Sequence, residues 1–158
     1  MKTIFVAVSI IAIVACSKDN LDQGYWIIAQ EQHNIISTTR NNNNGYFVLS
    51  GIDSHSSPDT IEIYFSSMPT TSAKYTVVRF EDTTSLAFDE MGFRVSTFSK
   101  EIYYSTGIGE TATWRPADKA DLTIENGKIR IEIPKMTTRS ENSNAIDSFY
   151  IQGIVREK

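Results

Sequence analysis

The chain has little of what staples or metallates a small domain. Of its 158 residues one is a cysteine, Cys16, and two are histidines, His33 and His55. A single cysteine excludes an internal disulfide, and two histidines without a second thiol leave a His/Cys zinc centre short of ligands. There is no D-x-D-x-D-G calcium loop and no G-x-S-x-G nucleophile elbow. Gly107-Ile108-Gly109 lacks the third glycine and the following helix of a phosphate cradle. Lys and Arg are scattered singly and the formal charge is −4, which argues against nucleic acid or an anionic lipid surface as partner. No apolar run reaches the roughly 17–25 residues of a membrane-spanning helix. No helical pattern of about 10–15 residues separates the apolar segments, which excludes a parallel α/β architecture.

What is present begins at the N-terminus. Met1-Lys2-Thr3 leads into an apolar run over 4–15, ending Ile13-Val14-Ala15-Cys16. About twelve apolar residues behind one charge have the proportions of a secretory h-region. The final four residues resemble the lipobox of bacterial lipoproteins. That resemblance implies that the Cys16 thiol receives a diacylglycerol, that the chain is cut before it, and that the new amine is acylated. Acylation would account for the lone thiol of an exported chain. One acyl chain holds a protein only marginally on a bilayer, and two or three hold it stably. Ser17 stands where an Asp often retains lipoproteins at the inner membrane, and Ser17-Lys18-Asp19-Asn20 resembles a surface-export signal of Bacteroidota lipoproteins. The expected organisation is a removed signal peptide over 1–15, a lipidated tether over 16–24 and a single domain over 25–158. The expected address is the cell envelope, lipid-anchored at the outer membrane on its periplasmic or surface face. A tether of about eight residues reaches at most about 26–29 Å, so the domain would work close to the membrane.

Beyond the tether nearly every segment alternates with period two, the mark of half-buried strands. In 60–66, Ile61, Ile63 and Phe65 share one face, and Glu62 and Tyr64 share the other. Strands are predicted at 25–30, 34–39, 45–52, 60–66, 74–81, 92–98, 101–105, 110–115, 121–125, 128–133 and 147–155. Asn44-Gly45, Ser57-Pro58-Asp59, Met68-Pro69, Asn126-Gly127 and Pro134 mark the turns. The asparagine run 41–44 reads as a loop, and 85–91 as one helical turn closed by Gly92. Asn126-Gly127 is the sharpest signal, because a type I′ turn needs positive φ at both central residues. Its two-residue loop sets Glu125 opposite Lys128, Ile124 opposite Ile129, Thr123 opposite Arg130 and Leu122 opposite Ile131. Asp121 then meets Glu132, a repulsion that either ends the pairing or needs Lys119 or Arg115 to offset it.

Short strands at this spacing predict an all-β domain. An antiparallel β-sandwich, immunoglobulin-like or related, is the first expectation, and a lipocalin-like barrel is the alternative. Residues 68–78, Tyr103-Tyr104-Ser105-Thr106-Gly107 and Glu125-Asn126-Gly127-Lys128-Ile129 resemble a pattern in small, mostly uncharacterised Bacteroidota envelope lipoproteins with a β-sandwich domain. The resemblance spans about residues 60–155 and rests on turns and strands, so only the lipidated cysteine carries over as a functional residue.

Chemistry-bearing groups are sparse. Ser50, Asp53 and His55 are close in sequence, but a triad is recognised by geometry. His33 reads as an ordinary strand residue and His55 as an exposed loop residue. Asp53 with Asp59, or Asp118 with Asp121 and Glu132, could gather around a cation. The simpler reading is solvated acids at strand ends. Glycoside hydrolysis needs two carboxylates about 5–9.5 Å apart in a cleft, and Asp89-Glu90 is not a distinctive pair. Trp26, Tyr46, Tyr64, Tyr103, Tyr104 and Trp114 are amphipathic rings that either stack on a sugar or protein partner or fill the core. Asp59-Thr60-Ile61 and Asp82-Thr83-Thr84 resemble the O-glycosylation acceptor of Bacteroidota. The expectation is a membrane-anchored, non-enzymatic binding or accessory module with no catalytic residues, no metal and no cofactor. Its partners would be the membrane through the anchor and a glycan or envelope protein. The alternatives are a lipocalin-like carrier of a small apolar ligand and an envelope hydrolase. Labelled palmitate should appear on the wild-type protein and vanish from Cys16→Ala; label retained by the variant would refute the anchor.

Overall fold

The computed structural model describes residues 23–81, 85–106, 118–141 and 149–158. The expected signal peptide, Cys16, the strand at 110–115, Gly107-Ile108-Gly109 and Arg115 lie outside them. The described chain is all-β. Its strands are β1 (Tyr25–Ile28), β2 (Glu31–Asn34), β3 (Ser37–Asn43), β4 (Tyr46–Ile52), β5 (Thr60–Phe65), β6 (Ala73–Val77), β7 (Glu90–Ser96), β8 (Ile102–Ser105), β9 (Lys119–Glu125), β10 (Lys128–Ser140) and β11 (Phe149–Arg156).

Several boundaries depart from expectation. The strand expected at 74–81 ends at Val77, because Val78 and Phe80 leave the ladder to join the second apolar cluster. The strand expected at 34–39 is two strands, β2 and β3, joined by Ile35-Ile36. The asparagine run is mostly strand: Asn41, Asn42 and Asn43 pair with Val48, Phe47 and Tyr46, leaving the turn to Asn44-Gly45. Residues 85–91 form no helical turn. The Glu90 carboxylate accepts the Ala87 N–H at 2.7 Å, closing a tight turn from which β7 starts two residues early.

All strands belong to one hydrogen-bonded sheet, ordered β2-β1-β11-β10-β9-β6-β7-β5-β4-β3, with β8 bridging β10 and β7. The bridge closes a five-stranded ring, β10-β9-β6-β7-β8, with the remaining strands as two wings. The sheet does not divide into two by its pairing, and the closed ring is barrel architecture. Among the described strands every pair is antiparallel except β6–β7, where Thr76 and Val77 run parallel to Glu90 and Met91. Closure requires β10 to change partner along one edge, from β9 up to Glu132 to β8 from Thr138. Pro134 lies in the gap. It was expected to end the strand, but a register shift between Ile133 and Met136 absorbs it as a bulge, the place in a sheet where a residue without N–H is tolerated. On β7 the switch from β6 to β8 leaves the Phe93 N–H without a strand partner. The Ser105 hydroxyl, fully buried, accepts it at 3.2 Å and donates to the Val78 carbonyl at 2.7 Å.

The Asn126-Gly127 hairpin has the expected register, with φ of 53° and 76° at its two turn residues. Asp121 does meet Glu132, and the pairing ends there. Lys74, 3.1 Å from Asp121, and Arg130, 3.1 Å from Glu132, offset the repulsion.

The main core lies on the inner face, where Trp26, Leu49, Ile61, Ile63, Met91, Phe93, Ile131 and Ile151 are fully buried. A second layer covers the outer face of β4, β5 and β8: Val78, Phe80 and Leu86 fold over Val48, Tyr64 and Tyr104. Phe80 stacks on Tyr64 at 4.3 Å. It lies so close to β7 that a Cβ on Gly92 would sit 2.6 Å from the Cβ of Phe80. Across the open side, the Arg40 guanidinium of β3 pairs with Glu157 and donates to the Gly127 carbonyl at 2.8 Å. This ties the outermost strand of one wing to the far hairpin.

β1 crosses β11 with Trp26 opposite Gly153. A Cβ at Gly153 would strike the Tyr25 carbonyl oxygen and come within 2.8 Å of Trp26 Cα, both backbone atoms. Gly153→Ala should therefore cost about 1–3 kcal/mol as overpacking in urea denaturation, whereas Thr39→Ala on the outer strand should stay within about 0.5 kcal/mol.

Candidate functional site

One end of the sheet brings a histidine and two aspartates together. β1 and β2 form a hairpin in which Trp26 lies opposite His33, and the two rings stack at 5.1 Å with 10° between their planes. After β2 the chain turns at Ile35-Ile36 and enters β3 beside β4. The Ile36 N–H donates to the Ile52 carbonyl, so Asp53, the next residue after β4, comes to His33. Ile52 faces Thr60 across the β4–β5 hairpin. Asp53 therefore faces Asp59, with the Asp53 N–H donating to the Asp59 carbonyl at 3.3 Å. Thr60 in turn faces Ser96 at the end of β7, which brings the 97–101 turn alongside.

His33 Nδ1 lies 2.9 Å from Asp53 Oδ2 and 3.1 Å from Asp59 Oδ2. The second oxygen of each carboxylate is held by the backbone. Asp53 Oδ1 accepts the Asp59 N–H at 2.9 Å, and Asp59 Oδ1 accepts the Phe98 N–H. His33 is 8% exposed, and its Nε2 is buried without a partner among the described residues. Beside this cluster opens a pocket of about 270 Å³ lined by Glu31, His33, Asp59, Phe98, Glu101 and Tyr103, among others, with no Lys or Arg in its wall. Phe98 is 70% exposed at the rim. The pocket is framed by tight turns at Ala29-Gln30 and Lys100, all at positive φ (49°, 72° and 68°) without a glycine. Such conformations are uncommon for side-chain-bearing residues.

Tyr103 points inward and donates its hydroxyl to Glu101. Burial first, then that hydrogen bond and the charges of Glu101 and Glu31, push its phenol up to about 12.

The structure sorts the residues singled out by sequence. Asp53 and Asp59 come together, but it is His33 that joins them, while His55 is exposed in the loop and Ser50 lies mid-strand in β4. Asp121 and Glu132 are held by lysine and arginine, and Asp118 serves the fold by accepting the Val77 N–H on its carbonyl. Trp26, Tyr64, Tyr103 and Tyr104 are buried and Tyr46 half-buried, so these rings fill the two cores. Among the described residues the most exposed rings are Phe88, Phe98 and Tyr150, which the alternation did not single out. Thr60 is flanked by β4 and β7. Trp114 and Asp82-Thr83-Thr84 lie outside the described residues. Asp53 and Asp59 could have been paired from the hairpin spacing alone. The contact to His33 could not, because it depends on the turn at Ile35-Ile36.

A second concavity, of about 500 Å³, shares Ala29 with the first and is walled by Lys135, Phe149, Tyr150 and Gln152. There the Lys135 ammonium sits 4.5 Å from the Tyr150 ring centroid. No protein-family model, curated protein or solved structure matches the chain.

Because the folded Tyr103 holds its proton more tightly than an unfolded tyrosine, its contribution to stability is intact below about pH 10. It is lost as pH rises towards 12. Phenolate absorbance of the wild type minus that of Tyr103→Phe should rise near pH 12, and a rise near pH 10 would refute this environment.

Proposed function

We propose that this protein is a lipid-anchored lipoprotein of the bacterial envelope whose β domain is a non-enzymatic binding module, related to the small Bacteroidota envelope lipoproteins it resembles. The anchor reading rests on the Ile13-Val14-Ala15-Cys16 order. The binding reading rests on one observation: an acid-lined pocket with an exposed Phe98 ring at its rim, on a body whose inner face is packed with buried side chains. Binding sites combine a concave shape, an apolar surface and a few convergent polar groups, and an exposed ring is suited to stack on a sugar or to anchor a protein partner. With a tether of about eight residues, the ligand would be met at the envelope surface, as a glycan or an envelope protein.

Two alternatives draw on particular observations. The convergence of His33, Asp53 and Asp59 favours an envelope hydrolase, since an imidazole oriented by a carboxylate is a general-base arrangement. Against it, Nε2, the nitrogen that would take the proton, is buried and out of a substrate's reach. The closed ring favours the lipocalin-like barrel over the immunoglobulin-like sandwich as the finer description of the fold. A carrier needs an apolar cavity of roughly 300–1,000 Å³, however, and the inner face here carries fully buried Phe93, Met91 and Ile131.

The test is a glycan array and an envelope pull-down with the full-length protein, compared with Phe98→Ala and Tyr150→Ala. A captured partner should be lost in Phe98→Ala and kept in Tyr150→Ala. The opposite pattern would move the site to the Lys135–Tyr150 concavity, and no capture by any form would overturn the binding reading.

A further inference from the structure

We infer that His33, Asp53 and Asp59 form a binding site for a first-row divalent transition-metal ion such as Zn²⁺. Their three donor atoms, one imidazole nitrogen and two carboxylate oxygens, lie within 4.8 Å of one another. The nitrogen-to-oxygen separations are 2.9 and 3.1 Å. Bonds of about 2.1 Å place donor atoms about 3.0 Å apart at octahedral angles and about 3.4 Å apart at the tetrahedral angle of zinc. Octahedral binding therefore fits the side chains as they stand, and tetrahedral binding needs them to part by a few tenths of an ångström.

The charge around the cluster points the same way. Nδ1 carries at most one proton, so without an ion two half-buried carboxylates compete for a single donor. Glu31 and Glu101 line the adjoining pocket, and no Lys or Arg does. Where Asp121 meets Glu132, by contrast, Lys74 and Arg130 stand beside them. His33 is nine-tenths buried, and among the described residues its polar contacts run through Nδ1 to the two acids, since Nε2 has none. The Trp26 ring stacked on its face restrains the imidazole.

The carboxylates are also held as ligands are held. Each has one oxygen pinned by a backbone N–H, of Asp59 or of Phe98, and turns the other towards Nδ1. Outer hydrogen bonds of this kind orient metal ligands. One imidazole with two carboxylates suits zinc or manganese better than calcium or magnesium, which favour all-oxygen shells. Three protein donors leave the remaining positions to water or to a ligand entering the pocket, so the ion would be part of the surface that the binding module presents. In that respect the inference rests on the proposed binding reading.

The experiment is calorimetric titration of the full-length, detergent-solubilised protein with Zn²⁺ after stripping with chelator, beside Asp53→Asn and Asp59→Asn. One equivalent should bind, at least about tenfold more weakly in each variant, with Ca²⁺ and Mg²⁺ weaker than Zn²⁺. Zn²⁺ should raise the Tm of the wild type but of neither variant. A paramagnetic probe, Co²⁺, should quench emission from Trp26, and the quenching should disappear in Trp26→Phe. Wild-type binding that is absent, or unchanged in both Asp→Asn variants, would overturn the site. Each Asp→Asn variant turns a carboxylate into a carboxamide of nearly the same shape, so loss of binding is read on a protein whose fold the Tm checks. Partner capture by the metal-stripped protein separates the two claims. Capture without zinc binding leaves the module and removes the ion, whereas zinc binding without any partner does the reverse.

Discussion

Two residues, Ile35 and Ile36, hold the ends of the sheet together. They join β2 to β3, consecutive strands that lie at opposite ends of the strand order. A chain that leaves one edge for the other gives up its ladder, and buried amides left without acceptors are costly. Here both amides find carbonyls, the Ile35 N–H at Gly24 and the Ile36 N–H at Ile52, each at 2.8 Å. The Ile35 side chain is fully buried beside Gly24 and Gly51, where a Cβ would come within 3.0 and 3.3 Å of its Cδ1. Small residues on both sides make room for a large apolar one at the crossing. The position of His33 beside the β4–β5 hairpin follows from this one turn.

The same end of the molecule differs from other acidic positions in the fold. Glu81, Asp121, Glu125, Glu132 and Glu157 are each paired with lysine or arginine, and exposed pairs of this kind are individually worth little, about 0–1 kcal/mol. At the His33 cluster the acids are drawn inward, their outer oxygens are fastened to the backbone, and a single imidazole faces both. Tight turns at Ala29-Gln30 and Lys100, held at positive φ without glycine, frame the pocket beside it. Local strain and uncompensated charge persist where surrounding structure over-determines them. Here that structure is the ladder ends of β2, β4, β5, β7 and β8 meeting at one rim.

Most strands were legible because period-two alternation is a local signal that tertiary context only trims. The Asn126-Gly127 hairpin was legible to the residue, since a two-residue turn with positive φ leaves no freedom of register. Three kinds of feature were not. Pro134 looked like a strand end, yet β10 runs through it, because a missing N–H does no harm where the edge is changing partner. For Tyr64 and Tyr104 the ligand and core readings both stood open, because alternation assigns a residue to a face without revealing that Val78, Phe80 and Leu86 cover that face. His33 looked ordinary, because its partners lie twenty or more residues away and across the turn at Ile35-Ile36.

By itself, then, the amino-acid sequence determined an all-β domain free of disulfides, its turns, and the pairing of its tightest hairpin. These depend on φ preferences and on apolar patterning between neighbours. The tertiary structure alone decided the closed ring, with its parallel β6–β7 contact, the second aromatic layer, and the meeting of His33 with Asp53 and Asp59. Each depends on which edge a strand finds after a crossover or a change of partner. That choice is made by burial and backbone hydrogen-bond satisfaction over the whole sheet, and no local spacing encodes it.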